Sequence, residues 1–197
     1  MPEKHRNTSE RRSTMQYIIG QLIGIVATII AISIPVFRKK WQMLLATFAG
    51  NLLMAIHFFL IGQIGSAIFL YFVAILQSMV SMYHTQKQSQ VRPWEQLLFC
   101  GLYVGLGIFG IVTAPGFVPE VNASNLLELL PIFASSMLTF SIFARKEQTT
   151  RIFLLINASL WAVYMAIVGS TGFFAELFTA ITTLLALWKY RKQPQNR

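Results

Sequence analysis

The sequence predicts an all-α integral membrane protein of seven transmembrane helices, and three observations carry that reading. Hydrophobic residues make up 55% of the chain and charged residues only 12%, with a mean hydropathy of +0.57, whereas soluble proteins carry about 25% charged residues. The apolar residues fall into runs close to the ~20 residues that a helix needs to cross a hydrocarbon core. Lys and Arg gather in short clusters between those runs, as topology signals do.

Residues 1–16 form a polar, basic N-terminal tail that carries Lys4, Arg6, Arg11 and Arg12. The first span, Tyr17 to Phe37, is longer than the roughly 7 to 15 apolar residues of a signal-peptide core, and no small-residue cleavage site closes it. The second and third spans, Gln42 to Ile61 and Ile64 to Tyr83, are separated only by Gly62 and Gln63 and so run antiparallel as neighbours. Residues 84–125 hold a loop, a linker helix at Trp94 to Thr113, and a longer outer loop with Pro115, Gly116 and Pro119. Leu126 to Phe143, Ile152 to Val168 and Gly172 to Tyr190 complete the seven, and residues 191–197 are a short basic tail. Backbone polar groups in hydrocarbon need internal partners, so these runs are helices. The alternation of a barrel strand is absent from them.

Twelve of the 16 Lys and Arg fall on one side of the membrane: Arg38, Lys39, Lys40, Lys87, Arg92, Arg145, Lys146, Arg151, Lys189, Arg191, Lys192 and Arg197. The opposite side has only the four in the N-terminal tail, and its three connections have none. The positive-inside rule therefore puts the C-terminus in the cytoplasm and the N-terminus outside. The tail's own charge pulls against this orientation.

A shift of 107 positions lays Gln21–Thr28 over Glu128–Ser135 and holds its register without a gap to Tyr83 on Tyr190. It superposes Arg38-Lys39 on Arg145-Lys146, His57 on Tyr164, and Gly62 with Gly65 on Gly169 with Gly172. Identities are few, so the weight rests on charge clusters and glycines recurring at helix ends. Each unit holds three helices, residues 17–83 and 126–190, and the single helix between them gives both the same orientation. Two parallel triple-helix bundles joined by a linker helix (3+1+3) are a transporter plan, with the site near the midplane at the repeat interface.

The runs Glu128-Leu129-Leu130-Pro131, Arg145-Lys146, Trp161 through Tyr164 to Gly169-Ser170, Gly172 and Glu176, with His57-Phe58-Phe59-Leu60-Ile61-Gly62, together resemble the YgjV-type family of bacterial inner-membrane proteins over roughly residues 17 to 192. That family is similar in its layout to the SWEET, PQ-loop and PnuC-type carriers, which implies the 3+1+3 fold and small-solute transport in the inner membrane. Pro131 stands where a PQ-loop carrier has its kinking proline, but Ile132 follows it rather than Gln.

The candidate site residues are the polar and aromatic groups inside spans. Asn51, His57, Gln77, Asn157, Trp161, Tyr164 and Thr183 are candidates to bind substrate, and Glu128 and Glu176 to couple a proton or cation. An intramembrane acid normally faces a cavity or the bundle interior. The alternative for both acids is an interfacial position near an outer helix end, where the N-terminal dipole favours them. His57 and Tyr164 read also as interfacial rings or as helix-to-helix hydrogen bonders, and Asn51 and Asn157 as amides joining helices. Thr179, Thr182 and Thr183 share one helix face and line a pathway or close-pack. Gly24, Pro35 and Pro131 are candidate hinges, as helix interruptions.

Enzyme chemistry has no support: Asp is absent, and there is no metal-ligand spacing, phosphate loop or nucleophile triad. Cys100, the one cysteine, permits no intrachain disulfide. No cofactor or metal is expected, and the charge of +9 comes with no nucleic-acid recognition motif. The expected partners are the lipid bilayer and a small molecule, with the protein a monomer or a homodimer. The favoured function is a small-solute carrier for a neutral polar solute such as a sugar or nucleoside. The competing reading is a non-transporting receptor or accessory subunit, which packs Asn51, Gln77, Asn157 and Trp161 dry, where a carrier sets them around a cavity.

Overall fold

The computed structural model describes residues 3–60, 66–113, 127, 129–168 and 172–191. Among them are seven α-helices and no strand: α1 Glu3–Ser33, α2 Lys40–Leu60, α3 Ser66–Gln86, α4 Pro93–Val112, α5 Leu129–Phe143, α6 Glu147–Val168 and α7 Gly172–Tyr190. Four stretches, Met15–Val36, Lys40–Leu60, Glu147–Ile167 and Phe173–Tyr190, are long and apolar enough to cross a membrane.

Helix ends depart from the hydropathy boundaries for local reasons. The polar segment expected as a tail is helical from Glu3 and continues into the first span. At its other end α1 stops at Ser33 and gives way to a 3-10 turn at Ile34–Val36, because Pro35 has no N–H and its ring clashes with the preceding turn. Phe37 is then extended, and Lys40 opens α2. α6 begins at Glu147, five residues before the hydropathy boundary, and so takes Thr150 and Arg151 into the helix. α4 starts at Pro93, where a missing N–H costs nothing, and Glu95 accepts the Arg92 backbone N–H at 2.6 Å.

The helices form a closed ring. α2 packs between α1 and α3, α6 packs between α5 and α7, α3 and α4 both meet α5, and α7 returns to α1. The outward face of α2 carries Trp41, Leu45, Leu52, Ile56 and Phe59, all exposed. A helix that is apolar on its inner and outer faces alike suits a bilayer. The core gathers toward the end that holds the Arg38–Lys40 and Arg145–Lys146 clusters, called the basic end below. There Leu44, Val73, Phe99, Tyr103, Ile142 and Phe143 join α2, α3, α4 and α5. A second group, Ile34, Met43 and Leu154, ties the α1 turn to α2 and α6.

α4 docks on α5 through one close approach. A Cβ on Gly107 would lie 2.5 Å from Ile132 Cγ1, whereas Gly101 and Gly105 on the same helix have nothing within 4 Å. Gly107→Ala is therefore expected to destabilise the protein by about 1–3 kcal/mol, the scale of overpacking, measured by thermal unfolding in detergent. Gly105→Ala is the matched control, with no loss and a gain from helix propensity of up to about 1 kcal/mol.

Candidate functional site

Inside the ring lies a cavity of about 360 Å³, within the roughly 300–1,000 Å³ of ligand sites. Its two long walls are α2 and α6. α6 contributes Thr150, Leu154, Asn157, Trp161 and Met165; α2 contributes Met43, Thr47, Gly50, Met54 and Phe58, and besides these Lys40, Leu44 and Asn51, which have no counterpart on α6. The matched sets follow the same three-and-four spacing, one helix face each. Subtracting 107 from each α6 position gives the α2 position in turn. Ala31 of α1 and Leu138 of α5, and Ile34 and Ser141 beyond them, also line the cavity at that offset. Leu70, Tyr71 and Ala74 on α3 do not match Glu176 and Thr179 on α7 at this offset, so the third helices present different positions.

The crossings behind those walls correspond as well. Asn157 Nδ2 donates to Ala134 O at 2.7 Å, which ties α6 to α5. At the positions 107 lower, a Cβ on Gly50 would come within 3.8 Å of Ala27 O. A hydrogen bond in one place and a small residue in the other both let the helices approach closely.

The candidate residues of the sequence divide accordingly. Asn51, Asn157, Trp161 and Glu176 come together in the cavity lining. Gln77 is fully buried between α3 and α4, where its Oε1 accepts the Tyr103 hydroxyl at 3.2 Å and its Nε2 has no partner among the described residues. Thr183 is buried on α7 and donates to Thr179 O at 2.6 Å, while Thr179 is the threonine at the cavity. His57 of α2 packs against α1: its Nδ1–H donates to Gly20 O at 2.8 Å, and its ring fills the space beside Gly24. Gly24 is thus the seat of an imidazole inside a continuous helix. Tyr164 meets Trp161 edge to face at 5.8 Å. Pro35 lies in the 3-10 turn and Pro131 in the first turn of α5. Glu128 is outside the described residues. Phe58, Tyr71 and Tyr103 line the cavity too; as aromatic residues in apolar runs they carry no polar signal that would set them apart in the sequence.

Lys40 and Arg151, which belong to the charge clusters that mark one side of the membrane, are both buried, with Arg151 only 2% exposed. Lys40 Nζ crosses from α2 to donate to Ser141 O at 2.8 Å and to Thr150 Oγ1 at 2.7 Å. Arg151 crosses the other way from α6, with Nε donating to Pro35 O at 2.9 Å and a terminal nitrogen to Phe37 O at 2.7 Å. Its guanidinium stacks on the Tyr190 ring at 4.6 Å, and the Tyr190 hydroxyl donates to Val36 O at 3.0 Å. Ser81 of α3 donates to Ile142 O at 2.8 Å. These contacts, with the two apolar clusters, shut the basic end below the cavity.

Arg151→Met removes two charge-assisted donors to carbonyls and the stacking on Tyr190. It is expected to lower stability by about 3–5 kcal/mol, the scale of two charge-assisted hydrogen bonds at roughly 1.5–3 kcal/mol each. Lys40→Met has a smaller effect, about 2–3 kcal/mol. Thermal or denaturant unfolding in detergent gives both values.

No curated protein and no solved structure matches the chain. The family model of the Imp-YgjV bacterial inner membrane proteins matches residues 18–194, and the chain belongs to that family.

Proposed function

We propose that the protein is a small-solute carrier of the bacterial inner membrane, built as two parallel triple-helix units, α1–α3 and α5–α7, joined by α4. The observation that carries this reading is the cavity whose α2 and α6 walls use positions related by one constant offset. A void on the axis between two similarly oriented units is where alternating-access carriers hold their solute. The sequence set Asn51, Gln77, Asn157 and Trp161 as the discriminating group, and three of the four line this cavity.

The basic end faces the cytoplasm by the positive-inside rule, so this conformation is closed toward the cytoplasm. Transport then requires the reciprocal contacts of Lys40 and Arg151 to separate as the two units rock. Their acceptors are mostly backbone carbonyls, which water can satisfy in their place once the end opens.

Two measurements test the reading. Proteoliposomes with purified protein should show saturable uptake of a solute from a broad panel, reduced about tenfold or more in Trp161→Ala, with folding verified by thermal unfolding. Absence of saturable uptake across the panel by folded protein would favour the accessory or receptor reading. In a Cys100→Ala background, Asn51→Cys should react slowly with an impermeant maleimide applied from the basic end. Adding Lys40→Met should speed that reaction about tenfold. An unchanged rate would show that Lys40 does not close the cavity.

A further inference from the structure

The end of the cavity away from Lys40 differs in character from the rest. Phe58 of α2 and Tyr71 of α3 stack there with ring centroids 5.5 Å apart, and Trp161, Met165 and Glu176 complete the wall. Levels along the helices follow from Arg151, which stands beside Tyr190. At about 1.5 Å per residue, Met165 and Glu176 both lie roughly 21 Å from the basic end, and Trp161 about 15 Å. Glu176 makes no hydrogen bond or ion pair among the described residues and lies within electrostatic reach of Tyr71.

We infer that this chamber binds a small organic cation of the alkylated-ammonium type, held by the Glu176 carboxylate and the faces of Trp161, Tyr71 and Phe58. The inference rests on the carrier reading for its place in transport and names the substrate class of that same site. A carboxylate in a low-dielectric cavity is costly unless a positive charge accompanies it. A small metal ion does not suit the chamber: calcium takes about six to eight oxygen ligands, and no group of three His, Cys, Asp or Glu occurs among the described residues. An alkylated ammonium is weakly hydrated and exchanges water for aromatic faces readily. A neutral sugar or nucleoside, as suggested by the amides, would leave the acid a coupling role only and the aromatic rings around it without a charge to meet. Lys40 sits at the opposite end, engaged by Ser141 and Thr150, and its charge keeps the bound cation away from the closed end.

The test is uptake of radiolabelled choline into proteoliposomes, competed by tetramethylammonium and by the uncharged isostere of choline in which carbon replaces nitrogen. Equilibrium dialysis of choline against the full-length protein in detergent runs in parallel. The expected result is saturable choline uptake that tetramethylammonium inhibits and the isostere does not. Glu176→Gln should lower kcat/KM roughly 10- to 100-fold, the worth of one charge-assisted contact, and Trp161→Leu should lower it about tenfold. Thermal unfolding of both variants verifies their fold.

Saturable uptake of a neutral solute, with no choline binding, would overturn the cation inference and leave the carrier reading standing. The same holds if Glu176→Gln removes only the pH-gradient dependence of neutral uptake, which makes the acid a proton carrier. If nothing is transported yet choline binds and Glu176→Gln abolishes binding, the cation site stands and the carrier reading fails. Neither uptake nor binding would overturn both.

Discussion

The basic end is organised by backbone carbonyls that no helix can satisfy. α1 breaks at Pro35 and α5 ends at Phe143, and each break leaves oxygens past the reach of an intrahelical donor. Their donors come from the opposite group of three helices. Arg151 and Tyr190 serve Pro35, Val36 and Phe37, while Lys40 and Ser81 serve Ser141 and Ile142. The exchange is reciprocal, two donors in each direction, and the cations meet the negative ends of helix dipoles. No carboxylate takes part in these hydrogen bonds. Water can take the place of such donors at modest cost, because each carbonyl then keeps a hydrogen bond.

On the repeat reading, the two triple-helix units keep roles while changing residues. Gly50 and Asn157 both seat a crossing against an alanine carbonyl, one by lacking a side chain and one by hydrogen bonding to it. Met54 opposite Trp161, and Phe58 opposite Met165, exchange flexible and aromatic bulk across the cavity. Volume is thereby shared between the walls while their chemistry is not. The acid appears on one wall only, because Glu176 has Phe69 at the corresponding position. On that reading the lining of the cavity is asymmetric even where its helices correspond.

Much of this was legible in the sequence because apolar runs and charge clusters are direct readings of a bilayer. The seven helices stand in the order that the hydropathy gives, and Asn51, Asn157, Trp161 and Glu176 reach the cavity because polar groups inside spans have few other places to go. The fates of Lys40 and Arg151 were harder to read, since hydropathy treats every cation at a span end alike. Helical phase held the missing signal: Lys40 lies three residues before Met43, on the stripe that continues through Thr47, Gly50, Met54 and Phe58. For His57 the sequence left several readings open, and the structure shows the helix-to-helix hydrogen bond. A ring near a helix end reads as interfacial, solute-binding or helix-joining, and the close approach that Gly24 permits gives it a carbonyl on α1.

Availability separates the polar groups that hold the fold from those that can meet a solute. Asn157, Gln77, Thr179 and Thr183 are each committed to a hydrogen bond with a neighbouring helix or with their own turn. Recruiting any of them to a solute breaks an existing bond and leaves its partner unsatisfied in a poorly hydrated interior, at about 1–3 kcal/mol. Asn51 and Glu176 line the same cavity without hydrogen bonds among the described residues, so engaging them carries no such penalty. On the carrier reading, a solute would meet those two residues and the aromatic rings beside Glu176 first, while Asn157 holds α6 against α5.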